Sequence, residues 1–378
     1  MGMTLGTLSL LITLSFLSLS GSMMYTDMFN AQIKSIAAYD VMISEVYSDY
    51  PEILQIQTKN NKKIVKEYEE YINDQFPLRN QWISIKSLNE YLLGKIENNG
   101  IIYGENKWLF EKFTSLNKVK LSNNINAINQ FSKKYDKSVS VMIVPNSYEI
   151  YNEDLPRGLY QIEQEKIIKD LYSNLIYSNN INLLDKFKNE KNNYIYYKTD
   201  HHWTTYGAYL AYCSFIESIG MKPINLNYYN SNEINGFYGS YFSKAKPFNI
   251  SSDIIKYYDF EDLEMNILGG EVYNSIYDFS KINSRDKYSM FIRGNNALTI
   301  INNKNLKNGK KILVIKDSFA NSLVPFLTQN FEEVHIIDLR SFNIKISNYM
   351  EENDFDNILV LYNFINLSTD SDIIKIKY

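Results

Sequence analysis

Four short runs of unbroken apolar character constrain the fold of this chain most: SVSVMIV from Ser138 to Val144, KILVI from Lys311 to Ile315, VHIID from Val334 to Asp338 and NILVLY from Asn357 to Tyr362. A strand with one wet face alternates polar and apolar residues, so a continuous run of this length belongs to a strand covered on both sides. The first run stops at Pro145, a helical stretch at about 160–178 and a short INLLD from Ile181 to Asp185 follow, and helical segments separate the later three runs. Buried strands alternating with helices predict right-handed crossovers, a mainly parallel sheet and a three-layer α/β sandwich.

Three regions are expected around that core. Residues 1–26 carry no charge, Asp27 being the first charged residue, and the apolar stretch has about the length of a bilayer-spanning helix. It reads as a secretory signal peptide, with SLSGS as the cleavage region, or as an N-terminal membrane anchor, although no Lys or Arg precedes it. Residues 27–125 form a lead-in: helix formers from Ile53 to Asn99 with a break at Pro77, then the short β-pair IIYGENKWLF with Gly104 in the turn. Residues 126–378 make the α/β domain, interrupted at about 221–310 by an irregular, partly β insertion around NGFYGSYFSKAKP and LGGEVYNSIYDFS.

A formal net charge of −4 and a pI of about 5.6 offer no basic surface to neutralise phosphates, which excludes a nucleic-acid partner. The single Cys213, within the apolar YLAYCSF, excludes an internal disulfide and a Cys-rich zinc site.

Two of the three histidines stand side by side in KTDHHWTTYGAY, directly behind Asp200. Ala208, Ala211, Tyr212, Phe215 and Ile219 follow helical spacing, Gly220 fits the C-terminal cap, and Thr204 or Thr205 can cap the start. The motif therefore lies in the loop entering a buried helix. If that loop is extended, Asp200 and His202 point to one side and His201 to the other. A carboxylate beside an imidazole fixes its tautomer, aims the ring and stabilises the imidazolium. The serine such a pair needs is best supplied by Ser318 in VIKDSFANSLVPFL, at the turn between the strand ending at Ile315 and a helical run to about Gln329, where helix-start N–H groups can receive an oxyanion. Other readings stay open: Asp-Ser before an apolar run is also an ordinary N-cap, and Trp203 suits packing better than stacking on a sugar. A metal at the two histidines would need several further carboxylates, and none is expected there. His335, inside VHIID, reads as a core or edge histidine.

TDHHWTTYGAY, VIKDSFANSLVPFL and the downstream VHIIDLR, preceded by YINDQFPLRNQWISIK and GIIYGENKWLF, resemble the DHHW protein family of Gram-positive bacteria. That family is similar to the SGNH-hydrolase-like alginate O-acetyltransferase proteins. The resemblance implies a circularly permuted SGNH-like fold with Ser318 as nucleophile, His202 as base and Asp200 as its orienting acid. The serine block reads KDSFANS, with Lys316 where hydrolases carry the glycine of GDS. The oxyanion donors it implies are the Ser318 N–H and Asn321, with Arg293 and Asn295 of FIRGNN, His201 and Trp203 as further pocket residues. No cofactor is implied. The expected activity is O-acetylation of a cell-surface polysaccharide outside the cytoplasm, the acyl group coming from a membrane-bound O-acyltransferase partner and the N-terminal segment holding the chain at the membrane. A carbohydrate acetylesterase using the same triad and a non-catalytic polysaccharide-binding or export protein are the alternatives.

Overall fold

The computed structural model describes residues 85, 87–89, 93–135 and 139–378, within the unit Trp82–Tyr378. The expected signal or anchor at 1–26 and most of the helical lead-in lie outside the described residues. Among the described residues, no helix is long and apolar enough to cross a membrane.

The four apolar runs form β4 (Val139–Val144), β11 (Lys311–Lys316), β12 (Glu333–Ile337) and β13 (Asn357–Asn363). With β5 (Asn179–Ile181) they pair in parallel in the order β5-β4-β13-β11-β12. Every residue of β4 is buried, and only the first residue of β11 and of β13 is not, because helices cover both faces. One group joins Lys118–Tyr135 to Phe364–Thr369 and the 3-10 turn Asp372–Lys377; another joins Thr205–Ser218 to Leu184–Glu190 and Val324–Leu327. The mixed α/β architecture with a large, mainly parallel sheet is therefore the one expected.

INLLD is not a strand of its own. Ile181 ends β5, and the Asn182 side chain accepts the Leu184 N–H at 3.0 Å to start a helix at once. The 221–310 region is more ordered than its turn residues suggest: β8 (Leu263–Ile267), β9 (Val272–Tyr273) and β10 (Leu298–Asn303) extend the main sheet antiparallel beyond β12, while β6 (Ser231–Phe237) and β7 (Asp253–Tyr258) form a separate ribbon. His335, paired with Ile300 and Leu313, is consequently buried between two neighbouring strands rather than at an edge.

The β-pair expected at IIYGENKWLF is a three-stranded sheet, β1 (Glu97–Asn98), β2 (Ile101–Tyr103) and β3 (Leu109–Glu111). Gly104 has an extended backbone there, and Asn106 and Lys107 take the left-handed positions of the turn. Glycine is required at 104 by proximity, since a Cβ would lie 2.6 Å from the Phe110 ring and 2.8 Å from the Asp154 carbonyl.

Candidate active site

β11 is central in the parallel sheet, so the turn after Lys316 opens at the carboxyl edge, where α/β folds place ligands. Asp317 caps that turn: one oxygen accepts the Phe319 N–H at 2.9 Å, the other the Asn363 N–H at 2.7 Å and Asn366 Nδ2 at 2.8 Å. Ser318 opens a 3-10 helix, Ser318–Ser322, and a short α-helix, Val324–Leu327, follows with Pro325 in its first turn. The expected helical run is thus in two pieces. The ordinary N-cap role falls to Asp317, which frees the Ser318 hydroxyl for another partner.

That partner comes from the histidine motif. Ile195 O accepts the Thr204 N–H at 2.9 Å and His202 O the Tyr197 N–H at 3.2 Å, closing residues 197–203 into a tight loop, and Thr204 caps the helix that follows. Asp253, at the start of β7, clamps the loop by accepting the Thr199 N–H at 2.8 Å and the Lys198 N–H at 3.2 Å. Asp200 then folds back as an Asx-turn, its Oδ1 accepting the His202 N–H at 2.9 Å and His202 Nδ1–H at 2.6 Å. With Nδ1 carrying that proton, Nε2 is an acceptor 2.8 Å from Ser318 Oγ. The second carboxylate oxygen accepts the Ser240 N–H at 2.6 Å.

Because the loop bends, His201 does not point away from His202. The two ring centroids are 3.7 Å apart, and His201 Nδ1 lies 2.6 Å from Ser240 Oγ and 3.5 Å from Asp200. Asp200 is nearly inaccessible; burial pushes its carboxyl up, but the two imidazoles outweigh this and hold it well below the usual carboxylate range. Burial lowers both histidines, yet the contact with Asp200 raises His201 overall. His202, deeper and beside the His201 charge, is lowered to about 4. A proton entering this pair resides on His201, and His202 stays a neutral base. Both nitrogens of His202 are engaged, by Asp200 and by Ser318, so His202 has no nitrogen left over for a metal ion.

A pocket of about 440 Å³ brings together Asp200, His201, His202, Ser318, Asn295 and Asn321, and extends past Tyr238 to Arg285. A larger cleft of about 600 Å³, beside Trp108 and Phe248, is lined by no histidine. Two expected pocket residues lie elsewhere. Trp203 is fully buried, donating Nε1–H to Phe319 O at 2.9 Å and to Ser322 Oγ at 3.0 Å, so it braces the serine turn and cannot stack on a sugar. Arg293 sits in a left-handed turn, its guanidinium 3.7 Å above the Tyr273 ring and its Nε–H donating to Ser275 O. That turn sends Arg293 away and brings Asn295 in.

Sequence reasoning missed three contributors. Tyr288 stacks on His202, with ring centroids 3.7 Å apart and planes 11° from parallel, and its hydroxyl donates to Ser318 O at 3.2 Å. Nothing marks it among 32 tyrosines. Gly239 and Asp253 act through contacts between segments remote in sequence, although the isolated glycine in FYGSYF is a signal for close backbone approach.

A search of curated proteins gives no match. Among solved structures, the chain is similar to a DHHW family protein from Eubacterium siraeum, at 24% identity and a TM-score of 0.66, over 74% of this chain and 96% of that one. It is also similar to Bacillus cereus PatB1, at 25% identity and a TM-score of 0.60, over 72% and 98% of the two chains. PatB1 with a sulfonyl adduct aligns at 24% identity and a TM-score of 0.61, over 74% and 98%. The DHHW protein family model matches residues 61–337, a span that holds the histidine motif and the serine turn, and the chain accordingly belongs to the DHHW protein family.

Proposed function

We propose that this chain is an extracytoplasmic O-acyltransferase that places an acetyl group on a cell-surface polysaccharide through an acyl-serine at Ser318. The observation that carries the reading is the relay of hydrogen bonds, Asp200 Oδ1 to His202 Nδ1 at 2.6 Å and His202 Nε2 to Ser318 Oγ at 2.8 Å, opening into one pocket. Ser318 Oγ attacks the acyl carbonyl carbon and passes its proton to Nε2, while the carbonyl electron pair moves onto oxygen. The Ser318 N–H and the Asn321 amide are the donors for that oxyanion. Its collapse breaks the bond to the donor's leaving group, which takes the proton from Nε2 and leaves acetyl on the serine. A sugar hydroxyl then gives its proton to Nε2, attacks the acyl-serine carbonyl and departs as the ester, and the proton returns to Ser318. Asp200 steadies the imidazolium in both halves. The acyl donor in this reading is a membrane-bound O-acyltransferase partner, and the apolar segment at 1–26 keeps the two together.

The test is intact-mass spectrometry of the full-length chain in detergent after exposure to an activated acetyl ester, beside Ser318→Ala. An acetyl adduct mapping to Ser318 and missing from the variant is expected. Identical ester turnover in both proteins, with no adduct, would leave polysaccharide binding or export as the function. Following acetyl on supplied glycan separates the acceptors: gain with a donor present marks a transferase, loss without one an esterase.

A further inference from the structure

Lys316 ends β11 directly under the serine turn, is 1% exposed, and has no role in the relay of Asp200, His202 and Ser318. Its ammonium donates to Asn295 Oδ1 at 2.6 Å and to Asn321 Oδ1 at 2.8 Å, and stands 3.7 Å from Asp338 Oδ2. An ammonium has three donors and no acceptor, so both amides must turn their oxygens toward it. Asn321 Nδ2 donates one hydrogen to Asn295 Oδ1 at 3.1 Å. With the oxygens so engaged, the second Asn321 hydrogen and the Nδ2 group of Asn295 remain as donors, and both residues line the pocket that holds Ser318.

We propose that Lys316 is a positioning residue: it locks the amides of Asn295 and Asn321 with oxygens inward and N–H groups toward the pocket, so that the oxyanion formed at Ser318 meets donors and never a carbonyl oxygen. This deepens the acyl-serine reading and rests on it. A buried ammonium is expensive, and an apolar side chain of similar length would fill the space at lower cost if packing were the sole requirement. The backbone is also held out of its preferred region to deliver Asn295: Ile292, Arg293 and Gly294 have φ values of 44°, 56° and 85° in succession, which is unusual for a β-branched residue.

The charges facing Lys316 are Asp338 and Arg340 from the segment after β12, Asp317 beside it in the chain, and the histidine pair across the pocket. Arg340 occupies Asp338 through Nε at 2.8 Å and Nη2 at 2.5 Å, so Lys316 receives only part of that carboxylate. Burial outweighs Asp338 and lowers its pKa to about 8. Above that pH a neutral amine can accept as well as donate, and either amide is free to flip. The loss is not an unfolding effect of this group: between its folded pKa and the ordinary value near ~10.4 the unfolded chain binds more protons, so this group's share of stability rises with pH.

The experiment measures acylation of Ser318 in the full-length protein by p-nitrophenyl acetate from pH 6 to 10, with the adduct located by mass. The expected wild-type rate falls along an alkaline limb centred near pH 8, which persists in His201→Gln and moves above pH 10 in Lys316→Arg. Lys316→Met acylates roughly 10- to 100-fold more slowly at pH 7 with KM for the ester unchanged, short of the about 10²- to 10³-fold lost when an oxyanion donor is removed outright, because the two amides are still present and only their orientation is released. A wild-type rate that stays flat or rises from pH 7 to 10, or a folded Lys316→Met within about threefold of wild type, overturns the assignment. If either variant fails to fold, the wild-type and His201→Gln profiles decide alone. No adduct at Ser318 at any pH removes the acyl-serine reading and this inference with it, whereas an adduct without the limb removes only the inference.

Discussion

Replacing Gly239 by alanine tests the site through a contact that has no chemistry of its own. The Gly239 backbone, at φ −80°, is open to any residue, so the change adds no backbone strain. Its added Cβ would lie 2.2 Å from Asp200 Cβ, 2.4 Å from Oδ2 and 2.7 Å from Cα, all more than about 0.5 Å inside ordinary van der Waals contact. Asp200 has nowhere to retreat, because Thr199 is clamped by Asp253 and the Asx-turn ties the carboxylate to His202. Clearing the closest contact requires a shift of about 1 Å, and either segment that moves breaks the 2.6 Å bond from Ser240 N–H to Asp200 Oδ2. A charge-assisted bond of this kind is worth about 1.5–3 kcal/mol, and a displacement of about 1 Å at a catalytic group costs about 10²-fold in rate. Acylation of Ser318 is expected to slow by roughly 10²- to 10³-fold, by the same adduct assay, with a melting temperature only a few degrees lower. A Gly239→Ala protein that acylates within about threefold of wild type would show that Asp200 does not need this position, and would refute its role in aiming His202.

Asp200→Asn keeps the shape but offers Nδ1 of His202 the wrong partner, and should slow acylation roughly 10⁴-fold without unfolding the chain; unchanged turnover would remove Asp200 from the mechanism. The acid side of the rate profile follows from His202, whose neutral form is the base: with its pKa lowered to about 4, activity should persist well below pH ~6.5, the ordinary imidazole value, and fail near pH 4. In His201→Gln the neighbouring charge is gone and that limb should move upward; a limb at pH 6.5 in wild type, or one that does not move, contradicts the coupling. Trp203→Phe removes the indole donor from Phe319 O and Ser322 Oγ, which keep the Tyr288 hydroxyl, and should lower stability by about 0.5–1.5 kcal/mol in thermal melts while loosening the serine turn; a variant as stable and active as wild type would reduce Trp203 to simple packing.

The elements legible in advance were those whose signal is local. The apolar runs at β4, β11, β12 and β13 announce double-sided burial residue by residue, and the turn after β11 places a serine at the sheet's carboxyl edge. The spacing of Asp200 and His202 pointed to the right pair for a reason that does not hold: strand alternation would have separated the histidines, whereas the Asx-turn stacks them. The β8–β10 strands were hidden by their turn residues, since an antiparallel extension needs only short pieces and takes its partners from elsewhere in the chain.

By itself the sequence determined the α/β class, the strand–turn–helix at Ser318 and the pairing of Asp200 with His202, because periodicity, turn chemistry and spacing act over a few residues. Only the tertiary structure decided which groups surround them. Tyr288 on the face of His202, Gly239 against Asp200, Asn295 beside Asn321 and the removal of Trp203 and Arg293 from the pocket all arise from contacts between distant segments. Burial then lowers His202 and Lys316, while at His201 the Asp200 carboxylate outweighs it, and burial belongs to the packed chain rather than to any stretch of it.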